Sequence, residues 1–137
     1  MAGFTNYLED KVINHLFGSV TFTRPGTYYC GLLTVAPTDS ATGTEVSGGA
    51  YARQSIAWVI TGSGVSQAAS SADLTWPAAT TDWGTVIVAG VYDALTSGNL
   101  VAFETLTKSD FTTANPKIIN SGDIFKIASG SLKITLD

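Results

Sequence analysis

His15 is the only histidine in the chain and Cys30 the only cysteine. A Ser-His-Asp triad or a histidine metal site would have to use that one imidazole. His15 stands between Asn14 and Leu16 in a helical pattern, with no Glu or His four residues away on either side. That context is a solvated helix face. Cys30 lies in the apolar run Tyr28-Tyr29-Cys30-Gly31-Leu32-Leu33. It is distant from His15 in sequence and in a different element, so no Cys-His nucleophile is indicated. Its two readings are a small buried hydrophobe, which the apolar context favours, and an intersubunit disulfide.

The acidic residues Asp73, Asp82, Asp93, Glu104, Asp110 and Asp123 fall at strand ends and turns. A glycosidase needs two carboxylates facing each other across a cleft. Asp at a strand end more commonly serves its own turn. No calcium-loop spacing occurs. Gly62-Ser63-Gly64 lacks the Lys-Ser/Thr of a phosphate loop and leads into no helix. No enzyme, metal or cofactor chemistry is expected from these residues.

Three tryptophans remain. Trp58, between Ala57 and Val59, reads as core. Trp76 precedes Pro77 at a strand end, and Trp83 sits in Asp82-Trp83-Gly84. At loop tips their faces could stack on sugar rings. Alternatively they close one end of a barrel, with their N–H groups on backbone acceptors. The second reading is favoured. Glu45 and Arg53 flank the turn Gly48-Gly49, with Tyr51 between them. They are expected to pair, or Arg53 to bond loop carbonyls, since its planar fork satisfies several acceptors at once.

The elements that must position these residues follow from periodicity. Asn6-Tyr7-Leu8-Glu9 has the form of a capping box with Asn6 as N-cap. Leu8, Val12 and Leu16 repeat at helical spacing, and Gly18 is placed as the C′ residue. A helix of about three turns is not stable alone in water, so its stripe must pack on the domain or on a neighbouring subunit. From Thr21 the pattern changes to apolar runs rich in β-branched and aromatic residues. Strands are expected near 27–35, 53–61, 72–76, 85–92, 100–106, 123–127 and 131–136. Turn signals separate them at Arg24-Pro25-Gly26, 37–43, Gly62-Ser63-Gly64, 96–99, Asn120-Ser121-Gly122 and Ser129-Gly130. The expected architecture is all-β. Residues 21–137 form a single-domain β-sandwich or jelly-roll-like barrel, and residues 1–20 carry one short N-terminal α-helix.

A chain of 137 residues is long enough for one domain with a sizeable core. Hydrophobic residues make up 45% and charged residues 13%, about half the usual charged share. Such a surface is covered by small polar residues or buried against other subunits. The net charge is −4 and the seven basic residues are scattered, with no run of even two. That argues against nucleic acid as a partner. No membrane-spanning stretch and no signal peptide are apparent, so the protein is expected to remain in the cytoplasm unless it leaves in a particle.

Several ordered segments carry a family resemblance. They are Thr27-Tyr28-Tyr29-x-Gly31-Leu32, Ala36-Pro37-Thr38, and Thr42-Gly43-Thr44-Glu45-Val46-Ser47-Gly48-Gly49-x-Tyr51-Ala52-Arg53-Gln54. Pro77-Ala78-Ala79-Thr80-x-Asp82-Trp83-Gly84-Thr85-Val86 and Gly122-Asp123-x-Phe125-Lys126-Ile127-x-x-Gly130-x-Leu132 complete the set. Together they resemble a family of small virion proteins of tailed bacteriophages, labelled tail fibre or capsid decoration proteins. Cys30, Trp58 and the Ser109–Lys117 loop depart from the family pattern. The resemblance implies an all-β virion component with no catalytic residues. It would be made in the host bacterial cytoplasm and carried on the virion, with the capsid surface favoured over the tail. The leading expectation is a homotrimer that cements the shell by binding the major capsid protein across capsomers. The alternative is a tail-fibre or receptor-binding module that reads a host surface polysaccharide through Trp76 or Trp83.

Overall fold

The computed structural model describes residues 3–61, 66–110 and 112–136. In chain order the elements are β1 (Gly3–Phe4), α1 (Asn6–Phe17), β2 (Tyr28–Val35), β3 (Thr44–Glu45), β4 (Gln54–Ile56), β5 (Trp58–Thr61) and β6 (Ser66–Ser70). They continue as β7 (Leu74–Thr75), β8 (Gly84–Val86), β9 (Val88–Tyr92), β10 (Leu100–Thr105), β11 (Lys117–Ile119), β12 (Lys126–Ile127) and β13 (Lys133–Leu136). The chain is all-β with one short helix, as expected. The Gly62-Ser63-Gly64 turn lies outside the described residues.

The largest sheet has the order β1-β10-β9-β2-β3, and β4 also pairs with β2. Three small sheets join it: β11-β8, β12-β7 and β13-β6-β5. Every strand pairing among the described residues is antiparallel.

Register explains where the core sits. In the β2–β9 pair, Cys30 faces Val91 and Leu32 faces Ala89. With Ala102 of β10 these residues join one apolar cluster. Leu74, Trp76, Trp83, Val86, Ile119 and Leu132, from the small sheets and their connections, close over it. Leu32 is fully buried, and burying a side chain of that size contributes ~2–3 kcal/mol. The alternate residues of the same strands turn to the opposite face. There Gly31 stands opposite Gly90, and Tyr29 opposite Tyr92.

Several expected boundaries shift. The run 53–61 breaks at Ala57, whose carbonyl accepts from the Ser71 N–H at 2.8 Å. The run 85–92 breaks at Ile87, which bonds Leu33 and Leu106 through its backbone. At both places the chain passes from one sheet to another, which an uninterrupted apolar run does not signal. β6 escapes the pattern because Ser66-Gln67-Ala68-Ala69-Ser70 has no β-branched or aromatic residue. Its two neighbours, β5 and β13, hold it instead. The Asn6 N-cap and the C′ placement of Gly18 are both corrected. Thr5 is the N-cap residue and its hydroxyl donates to the Leu100 carbonyl at 2.6 Å rather than to the helix. Gly18 is the C-cap residue, extended at φ −98°, ψ −159°, with its N–H on the Asn14 carbonyl.

The helix docks on its own domain only through its first half. Tyr7 and Leu8 pack against the core. Ile13, Leu16, Phe17 and Val20 are exposed, Phe17 at 82%.

Candidate functional site

The most organised polar constellation lies beside the Gly31–Gly90 pair. Glu45 arrives on β3, and Arg53 immediately precedes β4. The loop between them reverses through Gly48, Gly49 and Ala50, all at positive φ (74°, 59° and 66°). This is costly for Ala50, which has a Cβ. The reversal is held by backbone bonds: Tyr51 N–H to the Gly48 carbonyl, and Thr80 N–H to the Gly49 carbonyl. Trp83 donates Nε1–H to the same Gly49 carbonyl at 2.9 Å.

Arg53 satisfies both expectations made for it. Nε donates to Glu45 Oε1 at 2.8 Å and Nη2 to Glu45 Oε2 at 2.7 Å. Nη1 donates to the carbonyls of Ala94 and Ser97, at 2.8 and 2.7 Å. The guanidinium carbon lies 3.5 Å from the centre of the Tyr92 ring, a cation–π stack that suits its flat charge. Tyr51 adds a third layer. Its hydroxyl donates to Glu45 Oε1 at 2.6 Å and accepts from the Leu32 N–H at 2.9 Å. The Tyr51 ring meets Trp83 edge to face at 5.4 Å.

The electrostatics follow from burial around one carboxylate. Burial, then the Glu45 hydrogen bond, raises the Tyr51 hydroxyl well above the ordinary phenol range. Burial and the Glu45 charge push Tyr92 up to about 12, with Arg53 partly opposing. Burial, again with Glu45, pushes the Cys30 thiol up to about 12. Desolvation alone would lower Arg53, but the Glu45 hydrogen bond and charge outweigh it and raise its pKa. The carboxylate accepts from Arg53 and Tyr51, and the guanidinium donates four hydrogen bonds. The arrangement is a clasp. It fastens the 46–52 excursion and the 94–97 turn to the edge of the large sheet.

Trp76 stands apart from this clasp. It is 1% exposed and tilts against Phe125 at 5.4 Å. Its Nε1–H has no partner among the described residues. Trp83 is 6% exposed. Neither ring offers a face for sugar stacking, so the glycan contact through Trp76 and Trp83 is corrected. Both rings lie in the apolar cluster between the sheets. The backbone acceptor expected for each indole is present for Trp83 alone. Cys30 is fully buried as a free thiol, which leaves no route to the intersubunit disulfide in the folded chain.

His15 is exposed, with Nδ1 accepting from the Phe22 N–H at 3.2 Å. The aspartates serve turns. Asp73 accepts from Ser129 and pairs with Lys126; its pKa is lowered first by Lys126 and then by the Ser129 N–H. Asp82 accepts from Ser121, Asp93 from Asn99, and Asp123 from Asn120. The Thr113 hydroxyl, with the Thr113 and Thr112 N–H groups, draws Asp110 down to about 2. Among the described residues no group of three or more His, Cys, Asp or Glu could hold a metal ion. Also among them, no helix is long and apolar enough to cross a membrane.

Tyr92, Ala94 and Ser97 were missed on sequence. They lie about forty residues from Arg53, and no local pattern announces them.

No curated protein matches the chain. The family model for the podophage GP4 fiber I protein gp80 matches residues 3–135, which is almost the whole sequence and includes the clasp. The chain therefore belongs to the podophage GP4 fiber I protein gp80 family, as a structural protein of a phage virion.

Proposed function

We propose that this chain is a structural subunit of a podophage fibre, acting through packing and self-association rather than catalysis. The observation that carries the reading is the family match across residues 3–135. It favours the fibre over capsid decoration, because fibre is the part that the family's own description names. The side chains support a structural role. The largely buried Glu45–Arg53 pair fastens loops, and Asp73, Asp82, Asp93 and Asp123 serve turns.

The subunit assembles as a homotrimer. Ile13, Leu16 and Phe17 follow the i, i+3, i+4 spacing of one helix face, Val20 follows just beyond the helix end, and all four are exposed. On a chain with only 13% charged residues, a second and third copy would cover that stripe.

The test is the copy number of the chain per virion, by quantitative mass spectrometry against the major capsid protein, with gold labelling to place it. Tail-like copy numbers and label at the tail are expected. Copy numbers of the same order as the capsid protein, with label over the shell, would overturn the fibre reading in favour of cement.

A further inference from the structure

The tertiary fold gathers what the sequence scatters. A cleft of about 320 Å³ opens where β10, the β11–β8 pair and the β12–β7 pair meet. That is near the small end of the range for small-molecule sites, ~300–1,000 Å³. Three of the chain's seven basic residues, Lys108, Lys117 and Lys126, line it. They come from three separate parts of the chain: the loop after β10, the start of β11 and the start of β12.

The opposing charge is limited. Glu104 lines the same cleft. Lys126 is paired with Asp73 at 2.7 Å, but its side chain remains 52% exposed. Lys108 and Lys117 have no ion-pair partner among the described residues. On a chain of net charge −4 this is a local reversal of sign. A concave wall of low polarity strengthens such a field at its mouth.

The rest of the lining narrows the ligand class. Thr105, Ser109, Asn115 and Ser131 offer hydroxyl and amide groups, which both donate and accept. Leu106 and Ile127 supply apolar wall, and Phe125 adds an aromatic ring braced against Trp76. Lysines call for negative charge, the hydroxyl and amide rim for a polyhydroxylated ligand, and the aromatic wall for C–H surface. We propose that this cleft binds an acidic saccharide, its carboxylate or phosphate groups on Lys108 and Lys117 and its ring against Phe125. The proposal stands whether the subunit sits in a fibre or on a capsid.

The probe is a tetramer of galacturonate, titrated calorimetrically into the intact protein at low salt. Its neutral methyl ester, a tetraglutamate peptide and inorganic phosphate are titrated in parallel. A Kd on the order of 0.1–1 mM is expected for the galacturonate, weakening with added salt because the lysines are exposed. K108Q/K117Q is expected to weaken it about tenfold or more, and the ester to bind at least about tenfold more weakly than the acid. K11Q removes the same kind of charge from the remote helix and is expected to change binding by less than about twofold. Thermal melts of each variant check that the fold is intact.

No saturable binding up to about 10 mM, an equal loss in K11Q, or retention of full affinity in K108Q/K117Q would overturn the proposal. Tighter binding of tetraglutamate than of galacturonate would also overturn it, and would make the cleft a dock for an acidic protein segment. Binding of inorganic phosphate as tight as that of galacturonate would reduce the cleft to a simple anion site and overturn the saccharide assignment.

Discussion

Arg53 and Glu45 meet through two parallel hydrogen bonds of 2.7 and 2.8 Å, with the Arg53 side chain only 8% exposed and that of Glu45 23% exposed. They lie eight positions apart, and the positive-φ reversal at Gly48, Gly49 and Ala50 brings them face to face. A buried pair is a stabilising feature only while both partners remain.

Removing either partner is therefore expected to be severe. Arg53→Lys cannot keep the fork on Glu45 and reach both Ala94 and Ser97, so a loss of ~3 kcal/mol is expected. Glu45→Gln leaves the guanidinium without its carboxylate and should cost a similar ~3 kcal/mol. In urea denaturation the double variant should lose less than the two single losses together, by ~1–3 kcal/mol. Strict additivity would show that the pair is not coupled.

The glycine beneath this clasp tests the same geometry from below. A Cβ at Gly31 would lie 2.7 Å from Glu45 Oε1, 2.8 Å from Tyr92 Cε2 and 3.0 Å from the Tyr51 hydroxyl. Gly31→Ala is expected to lose ~1–3 kcal/mol by overpacking. At Gly26 a Cβ meets nothing within 4 Å. Gly26→Ala should stay within about 0.5 kcal/mol of the parent in the same denaturation assay.

Two buried indoles should respond differently to loss of their N–H. Trp83→Phe removes a bond to the Gly49 carbonyl and leaves a smaller ring in its place. Trp76→Phe removes a donor that has no partner among the described residues. Both leave space behind. Trp83→Phe should nevertheless destabilise by ~1 kcal/mol more, the net value of its hydrogen bond. Equal losses would mean that the Trp83 bond contributes nothing.

Alkaline pH should unfold the protein before general base damage does. Cys30 rises from 9.0 to about 12 and Tyr92 from 10.0 to about 12, each folded value lying above the unfolded one. The folded state thus holds the protons that the unfolded state gives up. Stability from this source is complete below about pH 9 and falls as pH rises toward 12. Cys30→Ala should flatten that fall, seen as a smaller shift of denaturation midpoint between pH 8 and 11. The thiol should also resist a disulfide reagent at neutral pH until denaturant is added.

Helix-end substitutions address assembly. Leu16→Ser with Phe17→Ser removes two exposed apolar side chains without touching the core. Sedimentation should show the parent chain as a trimer and the variant shifted toward monomer, at an unchanged melting temperature. A parent that stays monomeric at high concentration would remove the trimer from the proposal.

Some of this molecule was legible in one dimension because its causes are local. The apolar runs of β2, β9 and β10 announced themselves, and so did the helix and most turn glycines. Glu45 and Arg53 could be paired on sequence because a short glycine reversal lies between them. The N-cap was misplaced by one residue because the Thr5 hydroxyl is used on Leu100, 95 positions away. β6 was missed because its strand character comes from neighbours and not from its own side chains.

The class of the protein could be read along the chain: β-strands with one helix, punctuated by residues that tolerate positive φ, and poor in charge. Periodicity and turn chemistry act over a few residues, so they survive without coordinates. The folded arrangement buries Trp76 and Trp83, sets Gly31 opposite Gly90 and lays Tyr92 against Arg53. It also lines one cleft with Lys108, Lys117 and Lys126. These relations depend on strand register between distant segments. A shift of one residue would send every side chain to the other face, so no reading along the chain could supply them.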